Sequence, residues 1–331
     1  MNNTLYRLMT SIAFVSIAFH INAAYAAAPD IAQRASAAAQ TALHSSECKR
    51  INPFYWEIGD RNRTLASGSV GGDKYRADTT MPIASASKWL WGAYVVQKEK
   101  GKLNSNDIAY LNMTSGYTRF RYLSCAWLVK NNPGTTVADC FNARNLGGHN
   151  SDRNDDAIGH FYYDGGHFQK EAIDLGLGNM NNVSLQHAMQ QQLGTDVQFS
   201  FDSPQLAGGA ATSAKNYALF LRKILGNRLL MHDALGTHAV CTNPATCSDA
   251  MYAPVPSKES WHYSLGHWVE DDPVKGDGAF SSPGAFGFYP WIDHSKTYYG
   301  IVARKASVAA AVDSAECGRE IRRAWMNGMP Q

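Results

Sequence analysis

The sequence predicts an α/β (α+β) chain in which an antiparallel sheet, assembled from both ends of the chain, is flanked by helices and accompanied by a mostly helical lobe. Three observations carry this expectation. Segments 53–59 and 64–70 alternate as a strand pair across Asp60-Arg61-Asn62. Strand-like patterns return only near the other end, over 262–269, 286–293 and 298–303. Between them, 104–232 reads as helices and turns, so one sheet must draw on both ends.

Taken in order, a small-residue helix over 31–42 precedes the hairpin. A helix over 85–100 is stopped by Gly101. Asn131-Asn132-Pro133-Gly134 and Asn145-Leu146-Gly147-Gly148 have turn chemistry. Ser184 is an N-cap candidate for a helix running to Leu193 and ended by Gly194. Tyr217, Phe220, Leu221 and Ile224 form the apolar stripe of a helix over 213–225. A last helix spans 314–326 and carries Cys317. The expected organisation is a single domain over 27–331, with its α/β part over about 45–103 and 255–331 and its helical part over about 104–254.

The first 26 residues have the three-part logic of a signal peptide. Arg7 supplies the charge, 8–21 is an apolar core broken by Thr10, Ser11, Ser16 and His20, and Ala24-Tyr25-Ala26 offers small residues to a peptidase. That apolar run is short for a membrane span. Export to the periplasm or outside the cell, without stable membrane insertion, is the expectation. The six cysteines (Cys48, Cys125, Cys140, Cys241, Cys247 and Cys317) all follow the cleavage point, an even count that suits disulfides in an oxidising compartment. Proximity favours Cys241–Cys247 and Cys125–Cys140, leaving Cys48–Cys317 to join the ends. Neither C-x-x-C nor H-E-x-x-H is present, and the histidines at 149, 160, 167, 262 and 267 match no common metal spacing, so no metal is expected. A formal charge of +2 over 331 residues provides no basic stripe for nucleic acid.

Chemistry enters at Ser85-Ala86-Ser87-Lys88. A serine is a weak nucleophile until its proton is removed, and a lysine three residues on along a helix lies over the same face. Trp89, Leu90, Trp91, Ala93, Tyr94, Val95 and Val96 provide apolar surroundings that favour the neutral, basic form of that lysine. The spacing alone is weak evidence, since Ser46-Glu47-Cys48-Lys49 matches it without the context.

Five segments in order give it specificity. Residues 83–103 resemble the nucleophile helix of serine β-lactamases and penicillin-binding proteins. Residues 111–117 (LNMTSGY) resemble the L-x-H-T-S-G-L run of the class C branch, and 161–168 (FYYDGGHF) its F-x-Y-S-N-x-G-Y. Residues 208–217 resemble its G-G-L-x-S-T-A-x-D-x-A, and 284–293 the strand of the third motif. The resemblance implies a β-lactamase/transpeptidase-like fold, with Ser85 as the acylated nucleophile, Lys88 as its base partner and Tyr163 as the proton shuttle. Tyr162 is one position away, and the flanking Phe161 and Phe168 fix the frame on Tyr163. Ser282-Pro283-Gly284 stands where esterase-like relatives carry Trp-Gly-Gly, which makes the N–H of Ala285 the partner of the Ser85 N–H in an oxyanion hole.

Two departures matter. Gly165 replaces an asparagine that helps bind the substrate amide, and Ser282 replaces the cation that binds a substrate carboxylate. Arg119, Arg121 or Lys215 could supply that cation from elsewhere. Trp261, Trp268 and Trp291 are candidates either for a substrate cleft or for the core. The expectation is a cofactor-free serine hydrolase for a small ester, amide or peptide. The alternatives are a β-lactamase or D-alanyl carboxypeptidase, or a catalytically silent binding module for cell wall or peptide.

Overall fold

Among the residues that the computed structural model describes, 28–255, 258–307 and 309–331, eight strands form the main sheet. The stretch read as a signal peptide lies outside them. In chain order the strands are β1 (Phe54–Asp60), β2 (Thr64–Val70), β3 (Val240–Cys241), β4 (His262–Ser264), β5 (His267–Glu270), β6 (Ala279–Ser281), β7 (Tyr289–Ile292) and β8 (Tyr298–Ala303). Their order across the sheet is β2-β1-β8-β7-β6-β5-β4-β3, antiparallel throughout. The first strand, β1, and the last, β8, therefore lie side by side, second and third from one edge, with Trp56 opposite Val302 and Ile58 opposite Gly300. An antiparallel sheet flanked by helices is as the sequence implies, but β3 and the Ala214–Leu225 helix, both from within the stretch read as the helical part, join or pack on this sheet.

Alternation along β8 sets which helix lies on which face. Tyr298 packs edge-on against Trp325 of the Ala311–Asn327 helix, whereas Tyr299 meets Arg222 of the Ala214–Leu225 helix on the other face. The Ala311–Asn327 helix is fixed by the fully buried Arg322, which bridges Glu270 at 2.8 Å and Asp277 at 2.7 Å and donates to the Tyr289 hydroxyl. Cys48–Cys317 ties this helix to the N-terminal segment; Cys125–Cys140 and Cys241–Cys247 complete the pairing that proximity favours.

The second lobe carries the Tyr122–Asn131, Val137–Asn142, Gly166–Asp174 and Asn182–Leu193 helices. Two small pairings bring segments of this lobe to the site. Met81–Pro82 pairs with Ala210–Thr212, and Phe161–Tyr162 runs parallel to Ala250–Tyr252. No described helix is long and apolar enough to cross a membrane.

Local expectations need correction in three places. Residues 262–269 form two strands because Leu265 (φ 42°) and Gly266 (φ 89°) turn the chain back on itself. The strand expected over 286–293 is restricted to β7, and an unanticipated strand, β6, precedes it. Asn181, not Ser184, caps the Asn182–Leu193 helix: its side chain accepts from Val183 N and Ser184 N, while Asn181 N donates to Ser184 Oγ.

Candidate active site

Ser85 lies in a short 3-10 turn, Ala84–Ala86, that runs directly into the Ser87–Lys98 helix. Ala84 has φ 46°, a left-handed conformation that costs an alanine about 1 kcal/mol or more. Neighbouring groups hold this turn in place. Ser87 Oγ donates to Ala84 O at 2.6 Å and accepts from Ala210 N at 3.1 Å. Tyr217 donates to Ala86 O at 2.9 Å, and Ser282 Oγ to Ser85 O at 3.0 Å. The helix itself is pressed onto the β4–β5 turn: a Cβ at Gly92 would collide with the Leu265 carbonyl.

Lys88 points back one turn, and its Nζ donates to Ser85 Oγ at 3.0 Å and to Ala207 O at 2.6 Å. Burial disfavours the ammonium and pulls its pKa down to about 7, against an opposing pull from the Asp164 carboxylate. Tyr163 presents its ring 4.7 Å from Lys88 Nζ. Its position is set by backbone pairing, Tyr163 N to Tyr252 O at 3.0 Å, and by stacking on Trp268 at 5.4 Å. Burial raises the phenol to about 12, while hydrogen bonding from Ser85 and Trp268 works in the other direction. The phenol is thus protonated, and the lysine is poised between its two forms.

Ser85, Tyr163, Trp261, Trp268, Pro283 and Ala285 share a cavity of about 240 Å³, which Tyr252, Pro254, Val255, Ala311, Val312, Ala315 and Arg319 complete. Its wall is overwhelmingly aromatic and aliphatic. The residues at the third motif, Ser282-Pro283-Gly284 and Ala285, do not sit on a strand. Residues 282–287 turn between β6 and β7, where Gly284 N bonds Phe288 O at 2.8 Å and Gly287 N bonds Gly284 O at 2.8 Å. A side chain at Gly284 would strike Ile83 O, so only glycine lets this turn reach the segment before the nucleophile. Ala285 is thereby brought to the cavity beside Ser85, whose own N–H belongs to a first helical turn, where such groups lack intrahelical partners.

Residues of 161–168, 208–217 and 284–293 reach Ser85 or the turn that carries it, through Tyr163, Ala210 with Tyr217, and Ala285, whereas 111–117 bonds to Tyr162 and Leu265 instead, and not every expected residue faces the cavity. Ser282 is buried against the Ser85 backbone. Gly165 lies at the start of the Gly166–Asp174 helix, where an added Cβ would meet Ala207 and Phe120. Neither lines the cavity, nor do Arg119, Arg121 and Lys215. The cation at its wall is Arg319, from the C-terminal helix. Trp261 and Trp268 line the cavity, whereas Trp291 is core, under the Arg322 guanidinium.

Asp164 is a further neighbour that sequence reasoning did not single out. Its Oδ1 accepts from Phe120 N at 3.1 Å and Gly166 N at 2.8 Å, and burial raises its pKa to about 6. Two of the candidate histidines serve structure. His167, 2.7 Å from Ser115 Oγ, and His267, accepting from Gly236 N, are both pushed down to about pKa 3 by burial and stay neutral. Among the described residues no cluster of His, Cys, Asp and Glu could hold a metal ion.

No protein-family model and no curated protein matches the sequence. Solved structures do. An octameric penicillin-binding protein homologue from Pyrococcus abyssi superposes with a TM-score of 0.61 at 11% identity, over 91% of this chain and 78% of its own. The chain has the fold of the serine β-lactamases and penicillin-binding proteins. The same β-lactamase-like architecture is found in a D-stereospecific amidohydrolase from Streptomyces sp. (TM-score 0.56, 12% identity, 87% of this chain and 98% of the other). It is found also in the simvastatin synthase of Aspergillus terreus (0.57, 13%, 91% and 98%). At these identities the likeness shows the fold alone.

Proposed function

We propose that the protein is an exported serine hydrolase that cleaves small esters or amides through an acyl-Ser85 intermediate. The observation that carries this reading is the contact of Lys88 Nζ with Ser85 Oγ at 3.0 Å, in surroundings that bring the lysine to about pKa 7. Neutral Lys88 accepts the Ser85 proton as Oγ attacks the acyl carbon. The N–H groups of Ser85 and Ala285 stabilise the oxyanion. Collapse expels the alcohol or amine, which takes a proton from the Tyr163 phenol; the Lys88 ammonium then restores that proton. A water retraces the sequence in reverse to release the acid and free Ser85. The three disulfides are compatible with an oxidising destination.

The apolar cavity favours simple acyl groups over the carboxylate-bearing β-lactams and D-alanyl peptides, because no lysine or histidine stands at Ser282. Side-by-side assays of p-nitrophenyl butyrate and a chromogenic cephalosporin test the reading. Ester turnover that disappears in Ser85→Ala and survives a chelator is expected. Ester turnover that persists in Ser85→Ala, or efficient cephalosporin hydrolysis with negligible ester hydrolysis, would contradict it.

A further inference from the structure

Among the described residues, the one cation in the wall of the Ser85 cavity is already occupied. Arg319 reaches the cavity from the C-terminal helix, and its guanidinium is held in a two-point grip by Glu259, Nη1 to Oε2 at 2.8 Å and Nη2 to Oε1 at 3.1 Å. Both residues are buried, 6% and 3% exposed. The pair is fixed on the cavity side by Trp261, whose indole N–H donates to Glu259 Oε2 at 2.8 Å and whose ring lies 5.4 Å beneath the Arg319 guanidinium. The geometry of this fork satisfies both carboxylate oxygens, and the guanidinium is left with little to offer a ligand anion.

We propose that Glu259 masks Arg319 and thereby makes the cavity selective for neutral, apolar acyl groups, a specificity device that rests on the reading of Ser85 as the acylated residue. A substrate carboxylate entering beside Trp261 and Trp268 meets a guanidinium whose charge Glu259 already neutralises from outside the cavity wall. It must shed its hydration shell with no compensating charge. An alkyl or aryl acyl group meets only apolar wall. Releasing Arg319 from Glu259 should open the same cavity to acyl groups that end in a carboxylate.

The test compares two p-nitrophenyl esters of equal chain length, the valerate and the glutarate monoester, by kcat/KM. The folded wild-type protein is expected to prefer the valerate at least tenfold, and Glu259→Gln to narrow that ratio at least tenfold. In the double variant with Glu259→Gln and Arg319→Met, which has no cation in the cavity wall because Lys275, the other partner of Glu259, lies outside it, the ratio should stay within about threefold of wild type. The same ratio can be read without acyl chemistry, as binding of the two esters to Ser85→Ala followed by Trp261 and Trp268 fluorescence. That readout separates a failed specificity argument from a failed nucleophile assignment. Equal use or equal binding of the two esters by the unaltered cavity would overturn the proposal, whether or not Glu259→Gln folds. So would an unchanged ratio in a folded Glu259→Gln protein.

Discussion

Ser282 donates its hydroxyl hydrogen bond to the main-chain oxygen of Ser85 at 3.0 Å. The residue expected to meet substrate instead supports the peptide unit that carries the nucleophile. Loss of that bond removes one partner of a half-buried carbonyl, worth about 1 kcal/mol. Ser282→Ala is therefore expected to remain folded and to lose about tenfold in kcat on p-nitrophenyl butyrate. A folded variant with wild-type kcat would contradict this positioning role.

The pH dependence follows from Lys88. Activity needs its neutral form, so kcat/KM should rise with pH through an apparent pKa near 7. Stability has the same sign. Unfolded, the lysine holds its proton up to its ordinary value of 10.5; folded, it releases it near 7. Between those values the unfolded chain binds more protons, so stability increases as pH rises through the window. Lys88→Met should abolish turnover yet be more stable than wild type at pH 7 by on the order of a few kcal/mol, a difference that shrinks toward pH 10. Denaturant titrations of both proteins at pH 7 and pH 10 check it.

Asp164 opposes the depression of Lys88, since its carboxylate favours the ammonium. Asp164→Asn keeps an oxygen to accept from Phe120 N and Gly166 N but removes the charge. The acidic limb of the kcat/KM profile should then move to lower pH. A limb that stays in place would show that the carboxylate does not act on Lys88.

Cys48–Cys317 joins residues 269 apart in sequence and anchors the helix that carries Arg319 and Arg322. Replacing both cysteines with alanine should lower unfolding free energy by about 2–5 kcal/mol, read as a fall in the denaturant midpoint.

Much of this was legible in the chain because the signals are local. The stripe at Tyr217, Phe220, Leu221 and Ile224 is a helix face, and Asp60-Arg61-Asn62 closes the first hairpin as its composition implies. The three-residue strand β6 and the turn that splits β4 from β5 were not legible, since so short a run has no measurable alternation and its pairing is decided by neighbours. Ser85, Lys88 and Tyr163 could be named because each sits in a segment with a distinctive run of residues. Glu259 and Arg319 could not: on a helical wheel Arg319 resembles a solvated charge, and only the packing of the last helix brings it to a cavity whose nucleophile lies 234 positions earlier. Asp164 was hidden for a similar reason, because its influence on Lys88 depends on a lobe-to-lobe approach that no local pattern encodes.

The proposed mechanism requires that Ser85 become acylated. Incubation of the protein with a fluorophosphonate probe, followed by peptide mass spectrometry, addresses this directly, because the probe bonds only to a serine whose hydroxyl has been activated. The expected result is a single stoichiometric adduct on Ser85, absent in Lys88→Met. No adduct on the folded protein would point to a silent binding module on this scaffold, and an adduct on any other serine would place the chemistry elsewhere; either result contradicts the mechanism.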